Sequence, residues 1–198
     1  YLNIYKLGIV AIETEIISKL IKQLLDLEIH RDDYIIESLE QNCLIKLDHL
    51  QFNVRVDRVD RVISKQSNSE SNQQQLLIID YKTNYQNIND LFKDQLVDPQ
   101  LPVYLFLDEF KNCSAVVYAE LMYHEALYNG IGSDKFVDGC IKVELWDDLK
   151  SKWYGLLNAA AKDFADGNAA LSPLNGEQTC RSCHLARLCR KDEQCQMN

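Results

Sequence analysis

The sequence predicts an α/β fold, with a central mixed β-sheet flanked by α-helices. Three observations carry this. Leu76–Lys82 (LLIIDYK) is apolar almost to its end, as a strand buried on both faces of a sheet should be. Two longer stretches, Ile9–Leu27 and Leu145–Phe164, repeat apolar residues at three- and four-residue steps, which is the helical period. Between Phe52–Ile63 (FNVRVDRVDRVI) and Leu76–Lys82 lies the polar run Ser64–Gln75 (SKQSNSESNQQQ). That run cannot form a core, so it is a surface loop joining two antiparallel strands.

The elements follow in order. The first helix places Ile12, Ile16, Leu20, Leu24 and Leu27 on one side. Tyr34–Leu47 reads as a strand or a strand pair. Phe52, Val54 and Val56 alternate as a half-buried strand requires, but Val59 has the parity of Asp57. A bulge or bend near Asp57 accounts for the slip. Asp98-Pro99 opens a helix, with Asp as a cap and Pro in the first turn. Gln100 and Tyr104 then share a face, although Pro102 disturbs that turn. Ser114–Met122 is a further strand. The closing helix carries Leu149, Trp153, Leu156 and Leu157, and Asp166-Gly167-Asn168 ends it. Residues 1–170 form the core, and 171–198 form a cysteine-containing segment packed on it.

The chain has 198 residues, 46 % apolar and 26 % charged, which suits one domain with a real core. It has no apolar run near the roughly 20 residues a membrane span needs and no signal peptide. It does not begin with Met, so a fragment or processed piece is expected. Seven cysteines, an odd and largely scattered set, point to a reducing, cytoplasmic compartment rather than a disulfide framework. A net charge of −9 argues against a simple nucleic-acid coat protein. It does not argue against a nuclease, because a bound metal reverses the sign of an acidic site.

Asp57, Asp80 and Lys82 carry the chemistry. Ile78, Asp80 and Lys82 point the same way along their strand. The midpoint between Asp57 and Asp80 falls inside the polar loop, so the two aspartates lie roughly opposite each other across the hairpin. Directly opposed residues bring Cα atoms to about 4.5–5.5 Å, close enough for two carboxylates to share one divalent ion. Mg²⁺ so held can activate water and neutralise a phosphodiester, and a nearby lysine can orient the water or stabilise charge. The bland reading is an ion pair between Asp80 and Lys82, with Asp57 paired to Arg55 or Arg58. Arg55, Arg58 and Arg61 are candidate phosphate contacts, with plain exposure as the alternative.

The order RVDRVDRV, LLIIDYKT, DPQLPVY and C-x2-C-x5-C resembles the C-terminal nuclease domain of the RecB/AddB class of the PD-(D/E)XK superfamily, over about Leu20 to Arg190. It is most similar to the bacterial "probable DNA repair" type. The resemblance implies a restriction-endonuclease-like core and a Mg²⁺- or Mn²⁺-dependent deoxyribonuclease. It further implies an exonuclease working in DNA repair and recombination, with a helicase-like region or subunit as partner. It assigns Asp57 and Asp80 to the metal, Lys82 to catalysis, and Gln100 and Tyr104 to the Q-x-x-x-Y motif beside them. Glu40 takes the place of an acidic residue often found before the first aspartate strand, with Glu37 as a rival. Cys180, Cys183 and Cys189 correspond to three ligands of a [4Fe–4S] cluster whose fourth cysteine lies upstream in that family. None of Cys43, Cys113, Cys140 and Cys195 matches the fourth place, so the site is incomplete in this chain.

There are departures. The family's G-x-x-x-H helix has no counterpart among His30, His49, His124 and His184. Val54 and Asn84 stand where glycines are usual. An inactive DNA-binding or protein-interaction module of a helicase–nuclease-like complex is therefore the alternative reading. Retention of Asp57, Asp80 and Lys82 argues against it.

Overall fold

The computed structural model describes residues 2–63, 75–168, 170, 173–174, 176–181 and 183–189. Its strands are β1 Tyr34–Leu47, β2 Leu50–Val62, β3 Gln75–Lys82, β4 Cys113–Leu121, β5 Ala126–Gly132 and β6 Cys140–Lys142. They lie side by side in chain order in one six-stranded sheet. β1, β2 and β3 form an antiparallel meander, β3 and β4 are parallel, β4 and β5 antiparallel, and β5 and β6 parallel. The helices are α1 Leu2–Ile29, α2 Gln100–Tyr104, α3 Trp146–Ala165, α4 Glu177–Arg181 and α5 Ala186–Cys189. This is the expected mixed sheet flanked by helices, in the restriction-endonuclease-like arrangement.

Strand alternation splits the core in two. Ile78 and Val116 face a core shared with Leu101 of α2 and with Trp153 and Leu157 of α3. Leu77, Ile79 and Val117 face the other side, toward Tyr128, Phe136 and the end of α1 at Leu27. Trp153 is fully buried, and its indole N–H donates to Leu91 O at 2.8 Å, which removes the penalty of burying that polar group.

Several expectations change. Tyr34–Leu47 is one strand of 14 residues. Helix α1 is longer than predicted, and only its last turns pack. Leu20, Leu24 and Leu27 are half-buried, while Ile12 and Ile16 are exposed. Strands β5 and β6 went unpredicted. Gly130 and Gly132 dilute the strand pattern of β5, but they are there because β4 comes close: a Cβ at Gly130 would lie 2.3 Å from Val116 O. Gln75 belongs to β3, and residues 64–74 of the predicted loop lie outside the described residues. Helix α2 is a short turn with Pro99 at its cap, and Asp98 Oδ1 accepts from Gln100 N at 3.0 Å. In the segment after residue 170, Leu185 and Leu188 are exposed.

Beneath α1, the second face holds an ionic network. Arg58 donates through Nε and Nη2 to both oxygens of Asp60 at 2.7 and 2.8 Å, and through Nη1 to Glu28 at 3.0 Å. Arg31 Nη1 lies 2.9 Å from both Glu28 and Asp60. Tyr128 donates to Glu28 at 2.6 Å, and the two guanidinium groups pack against the Tyr34 ring at 4.2 and 5.0 Å. Asp60 is wholly buried and Arg58 is 6 % exposed. Two cations balance two anions, which buried charge requires. Burial alone would raise the Glu28 pKa, but hydrogen bonds from Tyr128 and Tyr34 and the charges of Arg31 and Arg58 outweigh it and hold it below the ordinary value.

A carboxylate depressed in this way stabilises the fold above its unfolded pKa, near 4.5, and loses that contribution as pH falls through the lower folded value. Glu28→Gln is expected to cost about 2 kcal/mol at neutral pH, the scale of a hydrogen bond to a charged group. Thermal melts should show the gap from wild type narrowing once the pH drops below 4.5. A gap that stays constant with pH would contradict the ionised network.

Candidate active site

The ladder between β2 and β3 pairs Arg58 with Ile79 and Val59 with Ile78. One more step in that register sets Asp57 across from Asp80. Alternation also decides the face. Val56 and Arg58 share parity, yet Val56 enters the core under α3 while Arg58 joins the network under α1. Val59, of opposite parity, is back in the α3 core. The alternation therefore breaks at Asp57, and neither neighbouring strand pairs with it in the ladder. Across from it on β1, Glu40 has a left-handed φ of 49°. A register shift lies nearby, between Ile36 and Ser38 of β1. The predicted irregularity thus involves both strands rather than a bulge in β2 alone.

Asp57, in phase with Val59 and opposite Asp80, lies on the face of Asp80, and Val56 before it is the residue out of phase. Asp57 Oδ2 accepts from Tyr81 N at 3.1 Å, and its charge acts on both Asp80 and Tyr104. Asp80, 1 % exposed, is the centre of the cluster. Its Oδ1 accepts from Gln100 Nε2 at 2.5 Å and lies 3.4 Å from the Tyr104 hydroxyl. Its Oδ2 lies 2.8 Å from Lys82 Nζ. That ammonium is the one polar contact of Oδ2 among the described residues. Burial raises the Asp80 pKa and the Asp57 charge adds to this, while Lys82 and Tyr104 oppose it.

Helix α2 supplies the rest. Gln100 Oε1 accepts from Lys82 Nζ at 2.5 Å, and Gln100 Nε2 also donates to Tyr104 Oη at 2.7 Å. One amide therefore ties the lysine, the buried aspartate and the tyrosine together. The Tyr104 hydroxyl has Arg55 O at 3.0 Å as its nearer acceptor. Burial pushes its pKa up to about 12, so it remains a donor. Val103 and Tyr104 are buried in the α3 core, which fixes this turn despite Pro102.

The donor set suits a hard divalent cation. Asp80 Oδ2 is a buried carboxylate oxygen holding only an ammonium contact, and Asp57 lies on the same face. Asp57 and Asp80 would hold Mg²⁺ or Mn²⁺, with the remaining positions left to water and phosphate, as is usual for Mg²⁺. No group of three or more His, Cys, Asp or Glu side chains is arranged for a metal among the described residues. Glu40 does not join the pair; it is exposed and bonded to Arg55 Nε at 3.0 Å. Its rival Glu37 pairs with Arg61.

The three arginines separate. Arg55 lines a groove of about 420 Å³ with Phe52, Val54, Asp98, Gln100 and Tyr104, beside the aspartates. Arg58 is spent in the ionic network on the other face, which corrects its assignment as a phosphate contact. Arg61 is bound to Glu37 and lies further along β2.

Cys180, Cys183 and Cys189 are all free thiols in one segment. Cys183 Sγ is occupied by the Leu185 amide at 3.4 Å, and the three do not converge as a metal-holding group. As arranged here, they do not fit an iron–sulfur cluster. Cys195 lies outside the described residues.

Sequence reasoning missed two buried acids. Asp60 sits in the repeat VDRVDRV, where nothing local distinguishes it from Asp57. Glu120, on β4 beside Lys82, is fully buried, and its Oε1 accepts from Gln86 N at 3.0 Å and Asn129 Nδ2 at 2.8 Å. A lone acid near the end of an apolar strand was the available signal.

Among the described residues no helix is long and apolar enough to cross a membrane. Comparison with curated proteins gives no match. The family model described as the PD-(D/E)XK nuclease superfamily matches residues 5–190, nearly the whole chain. With an aspartate from the middle of β2 brought together with an aspartate and a lysine at the end of β3, the chain belongs to the PD-(D/E)XK nuclease superfamily.

Proposed function

We propose that this chain is a metal-dependent deoxyribonuclease domain that trims DNA ends in a repair or recombination protein. The observation that carries it is the shared face of Asp57 and Asp80, with Lys82 held against Asp80 by Gln100. The RecB/AddB-like order of motifs supports DNA as the substrate and exonucleolytic cleavage as the mode. It also supports a helicase-like region or subunit as the partner.

A divalent ion bound here supplies charge neutralisation at the phosphate and lowers the pKa of its water. The protein's own groups do the rest. Asp57 and Asp80 bind the ion through their carboxylates. Lys82 orients the attacking water and stabilises the charge that develops on the phosphate. Gln100 holds Lys82 and Asp80 at fixed spacing, so that neither must reorganise during the reaction. Tyr104 closes the inner wall through the Arg55 carbonyl. The Arg55 side chain, at the rim of the groove, contacts a phosphate of the strand.

Asp80→Ala should abolish Mn²⁺-dependent degradation of linear single- and double-stranded DNA. Degradation by both proteins, or by neither, would defeat the assignment, and DNA binding without cleavage by wild type would favour the inactive module. Gln100→Ala should retain the fold and lower the rate about 10–100-fold, as the loss of groups that orient metal ligands does. An unchanged rate would remove Gln100 from the site.

A further inference from the structure

We propose that Arg58 and Tyr81 are positioning residues for the Asp57 carboxylate, so that the ionic network on the far face of the sheet sets the geometry of the metal site. This rests on the metal-dependent reading above.

A regular β2 would place Asp57 on the side opposite Val56, because successive side chains alternate. Counted from Arg58 and Val59, which pair with Ile79 and Ile78, alternation sets Asp57 on the face of Asp80; counted from Val56, which shares that face, it would separate the two acids by the thickness of the sheet. Arg58 prevents this. Its guanidinium is held on the α1 face by Asp60, Glu28 and Tyr81. With Val56 fixed in one core and Arg58 in the other, the residue between them must absorb the break, and that residue is Asp57.

Tyr81 completes the arrangement. It lies between Asp80 and Lys82 on β3, and its side chain points to the network. Arg58 Nη1 donates to the Tyr81 hydroxyl at 3.2 Å, and the Tyr81 backbone N–H donates to Asp57 Oδ2 at 3.1 Å. Tyr81 is thus gripped at both ends, by the residue after Asp57 and by Asp57 itself. Arg58 and Tyr81 are diagonal neighbours, with Tyr81 two residues beyond the Arg58–Ile79 pair. The contact therefore fixes the two strands against each other at the level of the acids.

Stability alone is a poor reason for such a network, since well-packed apolar residues often serve as well or better than buried ion pairs. What apolar residues cannot supply is a directional hold on Tyr81 and a charged anchor that forces β2 to break at one position.

The test is Mn²⁺ binding, followed by electron paramagnetic resonance, alongside melting temperature and DNA cleavage. Tyr81→Phe removes one hydroxyl and keeps the backbone amide. Arg58→Lys keeps the charge and loses the forked contacts. Both variants are expected to fold and to bind Mn²⁺ about tenfold more weakly, the low end for groups that orient metal ligands. Much of the cleavage rate should return at high Mn²⁺, whereas Asp80→Ala should bind no Mn²⁺ at the site. Wild-type affinity in both variants with a lowered melting temperature would overturn the proposal and leave the network a purely structural one. Loss of the folded state in both would overturn it likewise. If wild type binds Mn²⁺ no better than Asp80→Ala, the metal-dependent reading itself fails, and this inference with it.

Discussion

Asp57 meets Asp80 because it keeps the phase set by Arg58 and Val59, and β2 breaks its alternation between Val56 and Asp57. A strand is a two-sided object, and a one-residue change of phase moves every later side chain to the other face. Here the change separates Val56 in the α3 core from Arg58 in the α1 network. It leaves Asp57 without a ladder partner, and Glu40 opposite it takes a left-handed φ of 49°. The strand gives up regular hydrogen bonding at one level and gains two acids on one face.

The two faces of the sheet handle charge differently. Under α1, two arginines meet two carboxylates, and nearly every polar atom finds a partner, as a buried network needs. The orphan is Arg31 Nε. On the α3 face, Asp80 is buried with one oxygen against Lys82 alone among the described residues, and Asp57 lies close enough to disfavour its ionisation. The first arrangement is closed and neutral. The second is open to a cation and is organised from behind by Gln100, which touches Asp80, Lys82 and Tyr104 at once.

Much of this was legible in the residues. The apolar run before Asp80 marked a buried central strand. The midpoint of the hairpin set Asp57 across from Asp80, and the ladder between Arg58 and Ile79 has that register. The slip in parity at Val59 announced the break. Gln100 and Tyr104 were readable from their spacing and the motif order. The network was not. Glu28 and Tyr128 are separated by 100 positions, and no local pattern signals a contact that distant. Arg58 looked like Arg55 and Arg61, since a basic residue carries no mark of which face will bury it. Strand β5 was hidden by Gly130 and Gly132, whose lack of side chains lowers strand propensity while permitting close approach to β4. The three cysteines near the end suggested convergence, but Cys183 Sγ faces the Leu185 amide instead.

The most direct measurement is a crystal structure of the protein soaked in Mn²⁺, with the ion located by its anomalous scattering. The account predicts one site between β2 and β3, bound by a carboxylate oxygen from each of Asp57 and Asp80, with Lys82 still against Gln100. An ion held by Asp80 alone, or an Asp57 side chain turned toward α1, would contradict it.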